Sequence, residues 1–106
     1  MKSVTPPDAK RPEECQTMAQ VRAGVDSLDR ELVALLARRF DYMHAAARIK
    51  PERTMVRDEA RKAAVIAAAQ AEAQRLGAPE QRITGLWEVL VESSIAYELE
   101  QWDARA

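Results

Sequence analysis

From Met18 the apolar residues of this chain run Met18, Val21, Val25, Leu28, Leu32, Leu35, in alternating steps of three and four. That spacing keeps them on one face of a helix. The pattern continues through Leu36, Phe40, Met43 and a group of alanines to about Ile49. Pro51 ends it, because the residue before a proline is pushed out of the helical region. Some ~33 residues at about 1.5 Å each make a rod roughly 50 Å long. A compact globule of this chain length is only ~26–35 Å across. The helix is too long for the chain to cover alone, so its ends are expected to be buried by another subunit.

The remainder divides by its breakers. Residues 1–14 hold Pro6, Pro7 and Pro12 among charges and show no period, which reads as a flexible lead-in to a single helical domain over 15–106. Pro51 to Val56 reads as a short polar loop. Asp58 is an N-cap for a second helix that reaches Leu76 and stops at Gly77. Pro79 falls at the first turn of a third helix, from about Glu80 to Trp102, with an apolar stripe of Ile83, Leu86, Trp87, Leu90, Val91, Ile95 and Leu99. With 3 Gly, 5 Pro and an excess of helix formers, the expected fold is all-α: a three-helix subunit with a long first helix.

Charge narrows the function. A net charge of −1 argues against a general nucleic-acid binder. Its distribution is uneven. Residues 38–62 carry eight Lys/Arg against the four acids Asp41, Glu52, Asp58 and Glu59, whereas residues 83–106 carry five acids against Arg105. The positive segment points to a small anionic ligand. Cys15, the one cysteine, makes no internal disulfide and has no adjacent base, and His44 has no second ligand at helical spacing. No metal or cofactor is expected. The N-terminal residues contain no apolar leader and no window reaches a membrane span, so the expected location is cytoplasmic.

Two cations lie on the apolar seam. Arg39 stands where the spacing calls for a leucine, and Lys50 follows eleven residues later, about 20° around the axis and ~16 Å along it. Arg22 precedes Arg39 by seventeen residues, ~25 Å, too far for one metabolite to bridge within one helix. On the third helix Ser94 and Glu98 are four apart on one face, bordering the apolar stripe. Asp58 and Arg61 share the first turn of the second. Singly, each has a plainer reading: a snorkelling arginine, a cation at a helix C-terminus, a cap, solvated surface. Together, Arg39, Lys50, Arg61, Ser94 and Glu98 suggest one pocket in which cations outnumber acids, with the missing anion a ligand. The charge of Lys50 is then expected to face that ligand and not a structural partner.

At these residues the chain resembles the all-α chorismate mutase family, including its isochorismate pyruvate-lyase relatives. The likeness runs from about Pro12 to Trp102 and is carried by VRAGVDSLDRELVALLARR (21–39), Ala47–Lys50, VRDEAR (56–61) and ESSIAYE (92–98). PEEC and RRFDYMHAAARIK are similar to the lyase-like branch, and VRDEAR to the mutase branch. The resemblance implies an intertwined homodimer in which the first helix of each subunit reaches into the other's site. It implies that Arg22 from one subunit, with Arg39 and Lys50 from the other, holds the two carboxylates of chorismate. Lys50 would also face the ether oxygen of the breaking bond, with Glu98 as its second donor. Asp58 would lie near the ring hydroxyl, Ser94 would meet the ring carboxylate, and Arg61 would supply the motif cation.

Two positions depart from the family pattern. Lys62 follows the motif arginine where mutases carry a glutamate that contacts the ring hydroxyl. Glu98 stands where many members have glutamine, and a carboxyl donates to an ether oxygen only when protonated. The main reading is a chorismate mutase making prephenate for aromatic amino acids; the alternatives are an isochorismate pyruvate lyase making salicylate, or a non-catalytic helical dimerisation or regulatory module.

Overall fold

A computed structural model describes residues 10–106. The described residues form three α-helices and two short 3-10 turns, with no strand among them: α1 (Met18–Ile49), α2 (Glu59–Leu76) and α3 (Glu80–Asp103), with the turns at Pro12–Glu14 and Arg53–Met55. None of these helices is long and apolar enough to cross a membrane. The flexible lead-in expected over 1–14 falls largely on residues 1–9, outside the described residues, and its last part contains the first 3-10 turn. The chain divides into two compact units at Arg39 and Phe40, within α1.

In the first unit, α1 opens on a capping box. Thr17 Oγ1 accepts from the Gln20 amide at 3.2 Å, while Gln20 Oε1 accepts from the amides of Gln16 (2.7 Å) and Thr17 (3.3 Å). Two orphan amides of the helix end are thereby satisfied. Lys10, Pro12 and Cys15, with Val21, Val25 and Leu28 of α1, line a cavity of about 400 Å³ that contains none of the candidate site residues. Val25, Leu28, Leu32 and Leu35, the heart of the apolar seam, are 49–55% exposed.

In the second unit, the signals that bound α2 act as expected. Asp58 Oδ1 accepts from the Arg61 amide at 3.0 Å, a cap contributing about 1 kcal/mol. At the other end Gly77 takes φ +67°, and the Ala78 amide donates back to the Ala73 carbonyl at 2.8 Å. That left-handed turn strains any residue with a Cβ. Pro79 lies just before α3 rather than inside its first turn, and its carbonyl accepts the Ile83 amide.

The core of this unit is Val56, Val91 and Ile95, with Val65, Ile66, Trp87, Leu99 and Trp102 packed against it. Full burial of each large apolar side chain stabilises by roughly 1.5–3 kcal/mol. Two expectations are corrected here. Val56 belongs to the core rather than to a polar loop, because the 3-10 turn at Arg53–Met55 folds it back under α2 and α3. Leu86, expected on the α3 stripe, is 64% exposed. It lies off the line formed by Val91, Ile95 and Glu98.

Candidate functional site

The site grows from one face of α3. Val91, Ser94, Ile95 and Glu98 recur at steps of three and four, and all four are buried. Ser94 and Glu98 are therefore not solvated surface, as their plainer reading had it. Ser94 Oγ donates to the Leu90 carbonyl one turn back at 2.7 Å, a local bond that a serine makes readily inside a helix. Glu98, only 4% exposed, needs a partner, since a bare carboxylate away from water is costly.

That partner is Lys50. Its Nζ donates to Glu98 Oε2 at 2.7 Å, from the residue that directly follows α1. The pair corrects the expectation that the charge of Lys50 lacks a structural partner: α3 carries a carboxylate at the height where α1 ends. The side chain of Lys50 stays 30% exposed against 5% for Glu98, so the pair is solvated from the lysine side. An ammonium has three donors, and Glu98 takes one. The others remain able to meet a ligand oxygen.

The backbone of Lys50 is held as well. Trp102 Nε1 donates to the Lys50 carbonyl at 3.3 Å, and Arg105 Nη1 donates to the carbonyls of Lys50 and Ala47. Neither hydrogen-bonding role was expected from the sequence. The only signal in the sequence was an indole at the predicted end of the third helix and a cation three residues past it.

Asp58 and Arg61 are exposed at the start of α2, joined through the cap described above. Arg22 is exposed on α1 and Arg39 half-buried farther along it, both in the other unit. The structure thus brings Lys50 and Glu98 into contact and places Ser94 on the same buried face.

Lys62, the position that departs from the mutase pattern, is engaged elsewhere. Its Nζ meets Glu92 at 2.8 Å and Glu88 at 3.4 Å, both on α3. Arg57 joins the same carboxylate of Glu92 at 2.7 Å and also bonds Glu59. Arg57 first, then Lys62, hold the Glu92 carboxyl far below the usual range, at about 2. A second exposed pair, Arg53 with Asp103 at 2.8 Å, fastens the 3-10 turn to the end of α3 and lowers the Asp103 carboxyl.

The helical region that carries this site is similar in sequence to known proteins. The family described as chorismate mutase type II matches residues 21–99, nearly all of the helical region, and the chain belongs to that family. The chain is also similar to the isochorismate pyruvate lyase of Pseudomonas aeruginosa, with 30% identity over 93 residues, covering 88% of this chain and 92% of the relative.

Proposed function

We propose that the protein is a chorismate mutase, converting chorismate to prephenate in a site built around Lys50. The observation that carries this reading is the 2.7 Å contact between the Lys50 ammonium and the buried carboxylate of Glu98, within a chain of this family. The rearrangement is intramolecular: the ether C–O bond breaks as a C–C bond forms, and no nucleophile, metal or cofactor takes part. An enzyme accelerates it by holding the reactant in a compact near-attack shape and by stabilising negative charge as it grows on the ether oxygen. Arg22 and Arg39, with Lys50, supply cations for the two carboxylates. Arg61 adds a further cation, Ser94 a hydroxyl for the ring carboxylate, and Asp58 an acceptor for the ring hydroxyl. The free donors of Lys50 meet the ether oxygen, Glu98 fixes their direction, and a protonated Glu98 would add a donor of its own.

The site is shared in this reading, with Arg22 contributed by the second subunit of a homodimer. The half-exposed seam of Val25, Leu28, Leu32 and Leu35 supports this, since a stripe of that length is the kind of surface a second helix covers.

A second reading, the pyruvate-lyase reaction on isochorismate, uses the same clamp on a dianion. The relative from Pseudomonas aeruginosa favours it. So does Lys62, which brings a cation where mutases present a glutamate and is tied to Glu88 and Glu92. Incubating the purified protein separately with chorismate and with isochorismate, and identifying the products by NMR, decides between them. Prephenate from chorismate supports the mutase; salicylate with pyruvate from isochorismate alone supports the lyase; no product from either would sink both.

A further inference from the structure

Lys50 is gripped at both ends by a single helix face. Glu98 and Trp102 are four apart on α3 and therefore neighbours on its surface. Glu98 takes the ammonium at 2.7 Å, and Trp102 Nε1 donates to the backbone carbonyl at 3.3 Å. Just past the end of α3, Arg105 closes the arrangement, its Nη1 reaching the carbonyls of Ala47 (3.1 Å) and Lys50. The guanidinium lies over the Trp102 ring, 4.7 Å from its centroid, which holds the fork in place.

These acceptors follow from the end of α1. The last carbonyls of a helix have no intrahelical donor, and Pro51 contributes no amide to the turn that follows. A cation there also complements the helix dipole. Water could satisfy such carbonyls equally well. What water would not do is fix where the last turn of α1 stands relative to α3, and that position sets the reach of Lys50.

We propose that Trp102 and Arg105 are positioning residues for catalysis: they lock the backbone of Lys50 to α3 so that its ammonium, already aimed by Glu98, stays at one height in the site. The inference rests on the reading of Lys50 as the cation that faces substrate. Loosening the lock leaves the other substrate-binding groups in place and lets the Lys50 ammonium wander, so kcat falls more than KM rises. A displacement of about 1 Å can cost up to a hundredfold in rate.

A double-mutant cycle on the full chain tests this. Arg105→Ala is expected to lower kcat by about ten- to a hundredfold with KM within about threefold. Trp102→Phe, which keeps an aromatic ring but loses the N–H donor, is expected to act in the same direction and more weakly. Arg105→Lys, which keeps a charged donor, should recover part of the loss. In a Lys50→Ala background, Arg105→Ala should cost almost nothing further, because no ammonium remains to be positioned. An equal loss in both backgrounds, or an unchanged kcat in Arg105→Ala alone, overturns the proposal. Amide hydrogen exchange supplies a readout independent of activity: Arg105→Ala should speed exchange at Ile49 and Lys50 while leaving the middle of α2 unchanged. If the wild-type protein turns over neither substrate, the functional reading fails by itself. Accelerated exchange at Ile49 and Lys50 would then still show the lock, and unchanged exchange would remove it.

Discussion

Lys50 and Glu98, 48 residues apart in sequence, form a 2.7 Å ion pair in which the acid is buried and the base half open to water. The first prediction concerns stability. Lys50→Ala strands a carboxylate that is 4% exposed, and leaving such a group unpaired costs about 1–3 kcal/mol. The lysine side is 30% exposed, so water enters and the lower half of that range applies. A fall in Tm of several degrees is expected. Replacing both residues with methionine should restore most of it. A rise in Tm for Lys50→Ala would mean that Lys50 is repelled by neighbouring cations rather than held by Glu98.

The second prediction separates the two possible tasks of Glu98. Glutamine keeps an oxygen that can accept from Lys50 and adds a donor that carries no charge. Glu98→Gln should therefore keep turnover within about tenfold, whereas Glu98→Ala should lose about two to three decades. Steady-state kinetics on both variants, with circular dichroism to confirm folding, checks this. A folded but inactive glutamine variant would show that the site requires a carboxylate.

Acid stability provides the third. Arg57 and Lys62 hold the Glu92 carboxyl at about 2, below the value of about 4.3 it takes in an unfolded chain. A carboxyl depressed in the folded state stabilises fully above its unfolded value, and the contribution disappears as pH falls through the folded value. Glu92→Gln should thus lower Tm near neutral pH, with the difference from wild type shrinking between about pH 4.3 and 2. A difference constant across that range would show that Glu92 contributes by packing alone.

Much of the helical plan was legible because its boundaries are written in local chemistry. Pro51, Asp58 and Gly77 each act at one position through a fixed φ, a side-chain acceptor or a left-handed turn. The Thr17-to-Gln20 capping box is equally local but went unread in the sequence. The contents of the site were less legible. Period shows that Ser94 and Glu98 share a face with Val91 and Ile95, but not which residue of another helix stands opposite them. The register of α3 against the end of α1 is seen in the bonds that Glu98, Trp102 and Arg105 make to Lys50, to which no spacing in the sequence points. For the same reason Lys62, one of two departures by resemblance, emerged as one corner of a network with Glu88, Glu92 and Arg57. Arg105 lies beyond the last helical repeat, where periodicity carries no information.

The fourth prediction tests the shared site. If Arg22 and Arg39 serve one site from different subunits, Arg22→Ala and Arg39→Ala proteins should each be inactive alone. Refolded together, they should regain activity, with about one intact site per heterodimer. Heterodimers that form but stay inactive would place both arginines in the same subunit's site. Leu28→Glu and Leu32→Glu, on the half-exposed seam, should shift the protein toward monomer in sedimentation and abolish activity with it.

The proposed role of Lys50 is to drive the rearrangement of a chorismate-type dianion. Its most direct test is the rate of chorismate consumption by wild type and by Lys50→Ala, measured under matched conditions on protein shown to be folded. Prephenate formation by wild type is expected, with a kcat about two to three decades lower in the variant. Equal rates for the two proteins would contradict it.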